Sequence, residues 1–496
     1  MSTFKDATIE EVDQAVKESF KAFQKYRKLN LKQRASFLTT IADELHKISS
    51  ELIDISSRET HLDKPRLEVE LKRTIFQLAS YAKACEEGTW LDIRIDTGDP
   101  NRNPPKADLR KMLVPLGPVV VFGASNFPFA YSTAGGDTAC ALAAGCPVLL
   151  KAHPAHAETS EKVAEAVKTA ARKCALPEGI FIHLHGSGFE VGKALVQHAL
   201  TSAVGFTGSF EGGKALFDLA ATRKKPIPVF SEMGSVNPVF LLPEKLKLDT
   251  DKIATAYAVS ITQSVGQFCT NPGILIGIQS TSWEDFIQML GSKICATRPQ
   301  EMLHPGIAKS FHAKRTEALN QKGVTLLAET TEKGREVDSI PTIAQTSAQT
   351  FLANPLLHKE VFGPYSLMVT CVSIEEMISV AQHLEGQLTS TLMATDNEIK
   401  NNPALVDSLQ QICGRLILNG VPTGVEVALA MHHGGPYPAT TDSRFTAVGA
   451  DGIKRFARPV CYQSWSDELL PDELKNSNPL QIWRTVNNQL SNKPIV

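Results

Sequence analysis

Apolar residues recur at three- or four-residue intervals near the start of the chain: Ile9, Val12, Val16, Phe20 and Phe23, then Phe37, Ile41, Leu45 and Ile48. This is the period of one buried helix face, so the first hundred or so residues are predicted to be helical. A polar, proline-rich stretch over residues 97–105 ends that region. Beyond it the pattern turns to short apolar runs separated by helical segments. Strands are predicted over 113–122, 147–150, 180–184, 202–206 and 227–230, with helices over 158–173, 191–199 and 213–221. Strands alternating with helices imply right-handed crossovers and a parallel sheet. A second α/β region runs from about Gly234 to Pro436, with a helix over 251–264, a strand over 273–278, a helix from about Ile374 and a strand over 415–419. Residues 435–438 read as a loop, and 453–462 as a short helix running into a strand. There is no internal repeat.

At 496 residues the chain exceeds one ordinary core, and two or three domains are expected. With 43% apolar residues, 21% charged residues and a net charge of −2, the composition is that of a soluble globular enzyme. It gives no ground for nucleic acid or an anionic membrane as partner. The basic run Arg223-Lys224-Lys225 is too short to be more than a solvated loop. The most apolar stretch, residues 112–131, is broken by Pro115, Gly117, Pro118, Gly123 and Pro128, which excludes a spanning helix. The N-terminal residues lack the apolar core of a signal peptide. Nine cysteines without a Cys-x-x-Cys pair or a His/Cys cluster argue against zinc and against a disulfide framework. A reducing cytoplasm is the expected setting.

The chemistry concentrates in a few places. Cys269, in Gly266-Gln267-Phe268-Cys269, is the candidate nucleophile. A thiolate adding to an aldehyde gives a thiohemiacetal, whose collapse expels a hydride that a nicotinamide accepts. The plainer reading is a core thiol beside Phe268. Glu232 follows an apolar strand and precedes Met233-Gly234; alone, it is more commonly a capping or surface charge. A thioester needs an activated water, and such a carboxylate can be the base. Asn126 follows the apolar run ending at Phe122, at the carboxyl edge of the predicted sheet where ligand sites form. Its amide, with the Cys269 N–H, can bind a developing oxyanion; the alternative is a turn asparagine before Pro128. Gly208-Ser209-Phe210-Glu211-Gly212-Gly213 joins a strand to a helix, where glycines admit a pyrophosphate to the helix N-terminus.

In this order and at these spacings, Ala124–Pro128, Phe206–Ser209, Glu232–Gly234, Gly266–Cys269 and Lys359-Glu360-Val361-Phe362-Gly363-Pro364 resemble the aldehyde dehydrogenase superfamily over nearly the whole chain. The resemblance implies an α/β fold with a Rossmann-type coenzyme domain (1–98 and 116–233) and an α/β catalytic domain (234–437). It adds bridging strands (99–115 and 453–496) that join subunits into a homodimer or homotetramer. It also implies that Glu232 is the hydrolytic base and that Gly208, Ser209 and Gly213 belong to the coenzyme loop. By the same likeness Lys151 contacts the adenosine ribose, Glu360 the nicotinamide ribose, and Phe362 packs beside the ring. The segments Lys151–His156, Ser264–Gly273, Gly434–Thr440 and Phe456–Gln463 resemble the α-ketoglutarate semialdehyde (2,5-dioxopentanoate) dehydrogenase branch. That branch also contains an NADP-dependent dehydrogenase of long-chain aliphatic aldehydes.

A dicarboxylate semialdehyde requires a cation or donors for its distal carboxylate, and Arg444, His432 and His433 are the candidates. A metal is not expected, because adjacent histidines chelate poorly and no carboxylate cluster accompanies them. Pro154 stands where NAD-dependent relatives often carry a glutamate, which permits a 2′-phosphate. NADP is therefore the expected coenzyme, with NAD also usable. Phe189 offers no basic group in the following loop, so His153 or His156 would have to compensate. A coenzyme A-acylating enzyme is disfavoured by Glu232, and an inactive scaffold by the joint presence of Cys269, Glu232 and Asn126.

Overall fold

The computed structural model describes residues 4–495; Met1–Thr3 and Val496, at the outer ends of the expected segments 1–98 and 453–496, lie outside the described residues. Four helices, Ile9–Tyr26, Leu31–Lys47, Ser49–Thr60 and Lys64–Glu87, open the chain. Capping boxes start the first two: Thr8 with Glu11, and Asn30 with Gln33. Val12 and Val16 of the first helix pack on Val120, Leu149, Val204 and Val229 of the first sheet.

That sheet is parallel, in the spatial order Phe181–Leu184, Val148–Lys151, Val119–Phe122, Ala203–Thr207, Val229–Glu232. The chain starts at the centre, builds outward on one side, then crosses to the other. The reversal lies between Val119–Phe122 and Ala203–Thr207, and a crevice opens at the carboxyl ends of such a pair. The second sheet runs Thr325–Glu329, Thr342–Ser347, Tyr365–Cys371, Ile274–Ile278, Val239–Leu241, Gln387–Met393, Cys413–Leu418, and only the first of these is antiparallel to its neighbour. A third sheet joins Ala457–Gln463, Leu109–Pro115, Arg94–Asp96, Arg484–Val486 and Gln489–Ser491. Among the described residues no helix is long and apolar enough to cross a membrane.

The structure departs from the sequence reading in three places. The predicted strand 113–122 is two strands in different sheets, Leu109–Pro115 and Val119–Phe122. Gly117 turns between them at φ 140°, and Pro118 withholds a ladder N–H. Arg94–Asp96 pairs with Leu109–Pro115, so the third sheet begins inside the segment 1–98. The helix predicted over 251–264 is Pro243–Thr262, kinked at Asp249, and it stops before Ser264.

Candidate active site

The chain leaves helix Pro243–Thr262 through Ser264, Val265 and Gly266, with φ of 49°, 62° and 64°. A β-branched residue in this left-handed region costs on the order of 1–3 kcal/mol. Side-chain amides hold the turn that follows. Gln267 Oε1 accepts from Leu303 N at 3.0 Å while its Nε2 donates to Ser264 O at 3.2 Å. Asn237 Nδ2 donates to Cys269 O and to Asn271 O, both at 2.9 Å. Gly266 is backed against the Gly363–Pro364 main chain, where a Cβ has no room. The result is a rigid loop presenting Cys269.

Asn126 Nδ2 donates to Gln267 O at 3.1 Å, leaving its second N–H for another acceptor. Glu232 ends strand Val229–Glu232 and is buried. His433, also buried, brings Nε2 to 3.0 Å from Glu232 Oε1 and 3.6 Å from Cys269 Sγ. The donor atoms of Glu232, Cys269 and His433 all lie within 4.8 Å of one another. Burial pushes the Cys269 thiol well above its ordinary range, and the nearby charge of Glu232 adds to the effect. The resting sulfur is thus a neutral thiol with a carboxylate and an imidazole at hand to take its proton.

Cys269 lines two hollows. One, about 190 Å³, is lined by Asn126, Gly208, Ser209, Glu232, Lys314, Glu360 and Phe362 among others. It opens from the sheet reversal. Ser209 caps helix Phe210–Ala221, its Oγ accepting from Gly212 N at 3.1 Å. Burial raises Glu360 to about 7. Its carboxylate reaches this position because Gly234 has no Cβ; one there would come within 2.6 Å of Glu360 Oε2. Gly213 is not among the lining residues; it lets the helix pack on Met233 and Ser231. Lys151 ends strand Val148–Lys151, partly buried, and its amine has no hydrogen bond or ion pair among the described residues. Lys151 does not line this hollow, but the residues together fit a dinucleotide: backbone at a helix N-terminus for a pyrophosphate, a lysine and a carboxylate for ribose hydroxyls.

The second hollow, about 880 Å³, lies on the other side of Cys269 and contains Arg66, Arg73 and Arg415. Arg66 Nη2 donates to Asn126 O at 2.7 Å and Nη1 stands 3.3 Å from Glu70 Oε2, while Nε and Nη1 are buried without a hydrogen-bond partner. Its guanidinium also covers the Phe127 and Phe268 rings at 4.8 and 5.6 Å. Arg73 is held by longer contacts: its Nη1 is buried with no hydrogen-bond partner and Nη2 lies 3.4 Å from Tyr131 Oη and Val425 O. Arg415 donates to Gly424 O and Pro422 O, leaving Nε buried and unpartnered.

Cys269, Glu232 and Asn126 therefore converge, and Gly208, Ser209, Glu360 and Phe362 line the adjoining cleft. Arg444 does not join them. It is highly exposed and ion-paired with Asp442 at 2.6 Å, outside the arginine-lined hollow, so its charge is already satisfied at the surface. His432 also lies outside the hollow, while His433 faces the thiol and Glu232 instead of a distal carboxylate. The spacing argument found no His/Cys cluster, yet folding assembles Glu232, Cys269 and His433 from positions far apart in sequence. Desolvation drives His153 well below its usual pKa, so it offers a phosphate no charge, and His156 turns Nε2 to Ala124 O at 2.7 Å.

Residues 1–443 match the aldehyde dehydrogenase family, and the chain belongs to that family. It is 44% identical over 490 residues to the α-ketoglutaric semialdehyde dehydrogenase of Acinetobacter baylyi, covering 98% of this chain and 93% of that one. It is 45% identical over 475 residues to α-ketoglutaric semialdehyde dehydrogenase 2 of Azospirillum brasilense, covering 96% and 90%. Among solved structures, a glyceraldehyde-3-phosphate dehydrogenase of Methanocaldococcus jannaschii complexed with NADP superposes with TM-score 0.79 at 20% identity, over 93% of this chain and 96% of that one. A 1-pyrroline-5-carboxylate dehydrogenase gives the same TM-score at 20% identity, over 92% and 86%. The fold is that of aldehyde dehydrogenases.

Proposed function

We propose that the protein oxidises 2,5-dioxopentanoate to 2-oxoglutarate, with water as acyl acceptor and a nicotinamide dinucleotide as hydride acceptor. The observation that carries this reading is the arginine-lined hollow opening on Cys269. Arg73 and Arg415 keep buried, unpartnered N–H groups there, and a distal carboxylate satisfies them. The names of the relatives from Acinetobacter baylyi and Azospirillum brasilense agree with this substrate.

In this reading the Cys269 thiol gives its proton to the Glu232–His433 pair as sulfur bonds to the aldehyde carbon. The Asn126 amide and the Cys269 main-chain N–H hold the oxyanion of the thiohemiacetal. When bound, the oxidised nicotinamide supplies a place for the hydride that leaves this carbon. What remains on Cys269 is a thioester, and Glu232 takes a proton from water as it attacks. The acid departs and the thiol is restored. Ser209, the helix it caps, Lys151, Glu360 and Phe362 hold the dinucleotide, and Gly208 allows its close approach.

The same reading extends to assembly. Strand Ala457–Gln463 pairs with Leu109–Pro115 along one edge only, and an edge of the second sheet, Cys413–Leu418, exposes Leu416 and Leu418. Pairing of such edges between copies supports a homodimer or homotetramer. Nine free cysteines accord with a reducing cytoplasm.

The test is kcat/KM for 2,5-dioxopentanoate, succinic semialdehyde and a long-chain aldehyde with each coenzyme. A clear preference for 2,5-dioxopentanoate is expected. A preference for the aliphatic aldehyde would move the substrate to the other activity of the branch.

A further inference from the structure

The residues before the first helix are pinned to the sheet by three successive contacts. The Phe4 ring stacks on His185 at 4.3 Å and 7°, and Ala7 N donates to His185 O at 3.0 Å. Between them, Asp6 accepts from Ser187 N at 2.8 Å and from Ser187 Oγ at 2.7 Å. These bonds hold the Asp6 carboxyl below its usual range, so it is anionic at neutral pH. The loop it grips follows strand Phe181–Leu184 and touches Lys151: a Cβ on Gly186 would lie 3.3 Å from Lys151 Cε. The Asp6 charge also favours the protonated form of the unpaired Lys151 amine, against the desolvation that lowers its pKa. A segment remote in sequence thus brings a carboxylate to the lysine at the end of the second strand.

We infer that Asp6 selects the coenzyme, favouring a dinucleotide whose adenosine ribose carries a free 2′-hydroxyl over one bearing a 2′-phosphate. This rests on the reading that the ribose lies against Lys151. A hydroxyl can approach Lys151 and donate to a neighbouring carboxylate. A phosphate dianion there meets like charge, and finds the Ser187 N–H and O–H already taken. Neither histidine nor the following loop offsets this: His153 Nδ1 accepts from Ala155 N, His156 is buried with Nε2 against Ala124 O, and Phe189, 91% exposed, stands in the loop without charge. Pro154 removes one obstacle to NADP; Asp6 supplies another from a different part of the chain.

One carboxylate against a phosphate at a few ångströms near the surface amounts to about a tenfold effect on relative affinity, weakened by salt. The experiment is direct binding of NAD and of NADP by calorimetry to the purified wild-type chain, Asp6→Asn and Lys151→Ala, with thermal midpoints checked. Wild type is expected to bind NAD more tightly. Asp6→Asn is expected to shrink the NAD:NADP preference about tenfold, mainly by improving NADP, and less so at 0.5 M salt. A wild-type preference for NADP overturns the inference. So does an unchanged ratio in Asp6→Asn when Lys151→Ala weakens both coenzymes, and the ribose reading then survives. If Lys151→Ala weakens neither, the ribose reading itself falls, and the inference with it.

Discussion

Replacing Arg73 by methionine keeps an unbranched stem and removes one guanidinium from the large hollow. Arg73 is half-buried, and its buried Nη1 has no hydrogen-bond partner among the described residues. A hydrogen bond from such a group to a carboxylate contributes roughly 1.5–3 kcal/mol. The upper half of that range applies, because the site is desolvated and Arg73 gives up only two long contacts, each 3.4 Å, when a substrate draws it away. Arg73→Met should therefore lower kcat/KM for 2,5-dioxopentanoate about 45- to 160-fold. Pentanal has the same chain length and no distal charge, so its kcat/KM should change by less than about threefold. The assay is initial-rate nicotinamide reduction at 340 nm for both aldehydes, wild type against variant. Equal losses on the two substrates would mean that Arg73 supports the loop around Tyr131, and would refute carboxylate recognition. No loss on 2,5-dioxopentanoate would refute it as well.

Alkylation of Cys269 by iodoacetamide in the coenzyme-free enzyme should be slow at pH 7 and still rising at pH 9, because burial and the charge of Glu232 both oppose the thiolate; a plateau below pH 8 would contradict this. Glu232→Gln removes the negative neighbour and should speed alkylation at any fixed pH in that range. With Glu360 raised to about 7 and only its carboxylate accepting from a ribose, the Kd for NAD should weaken about tenfold from pH 8 to pH 6. Glu360→Gln should flatten that profile, as calorimetry would show. Arg444→Ala should leave kcat/KM for 2,5-dioxopentanoate within about twofold, since the side chain is exposed and paired with Asp442; a tenfold loss would return it to the site.

The side chains proposed for catalysis were legible because each sits where chain geometry changes. Asn126 and Glu232 lie at or just beyond carboxyl ends of strands, and Cys269 follows the end of a helix, three residues after Gly266. The arginines were not. On helix Lys64–Glu87 the sequence reading singled out none of Arg66, Glu70 and Arg73, yet Glu70 is buried and accepts from Phe129 N and Ala130 N at 2.8 and 3.0 Å. A clue existed: Glu70, Thr74 and Gln77 share the buried face with Leu67 and Leu71, and polar groups there need distant partners. His433 was read as a candidate for the distal carboxylate, because its contacts with Glu232 and Cys269 span some two hundred and some 160 residues of sequence. Gln387–Met393 escaped detection as a strand because its hydroxyl-bearing residues look solvated, although every residue in it is buried. In the first sheet, by contrast, the runs of valine and leucine announce themselves, and the break after Pro115 was signalled by Gly117-Pro118.

The account stands on a thioester formed at Cys269 and released through Glu232. The most direct measurement mixes Glu232→Gln with 2,5-dioxopentanoate and coenzyme, follows the reduced nicotinamide, and maps adducts by mass spectrometry of the digested protein. The account predicts a burst of about one reduced nicotinamide per active site, a stalled steady state, and an acyl group on the peptide carrying Cys269. Full steady-state turnover in this variant, or an acyl adduct on a different cysteine, would contradict it.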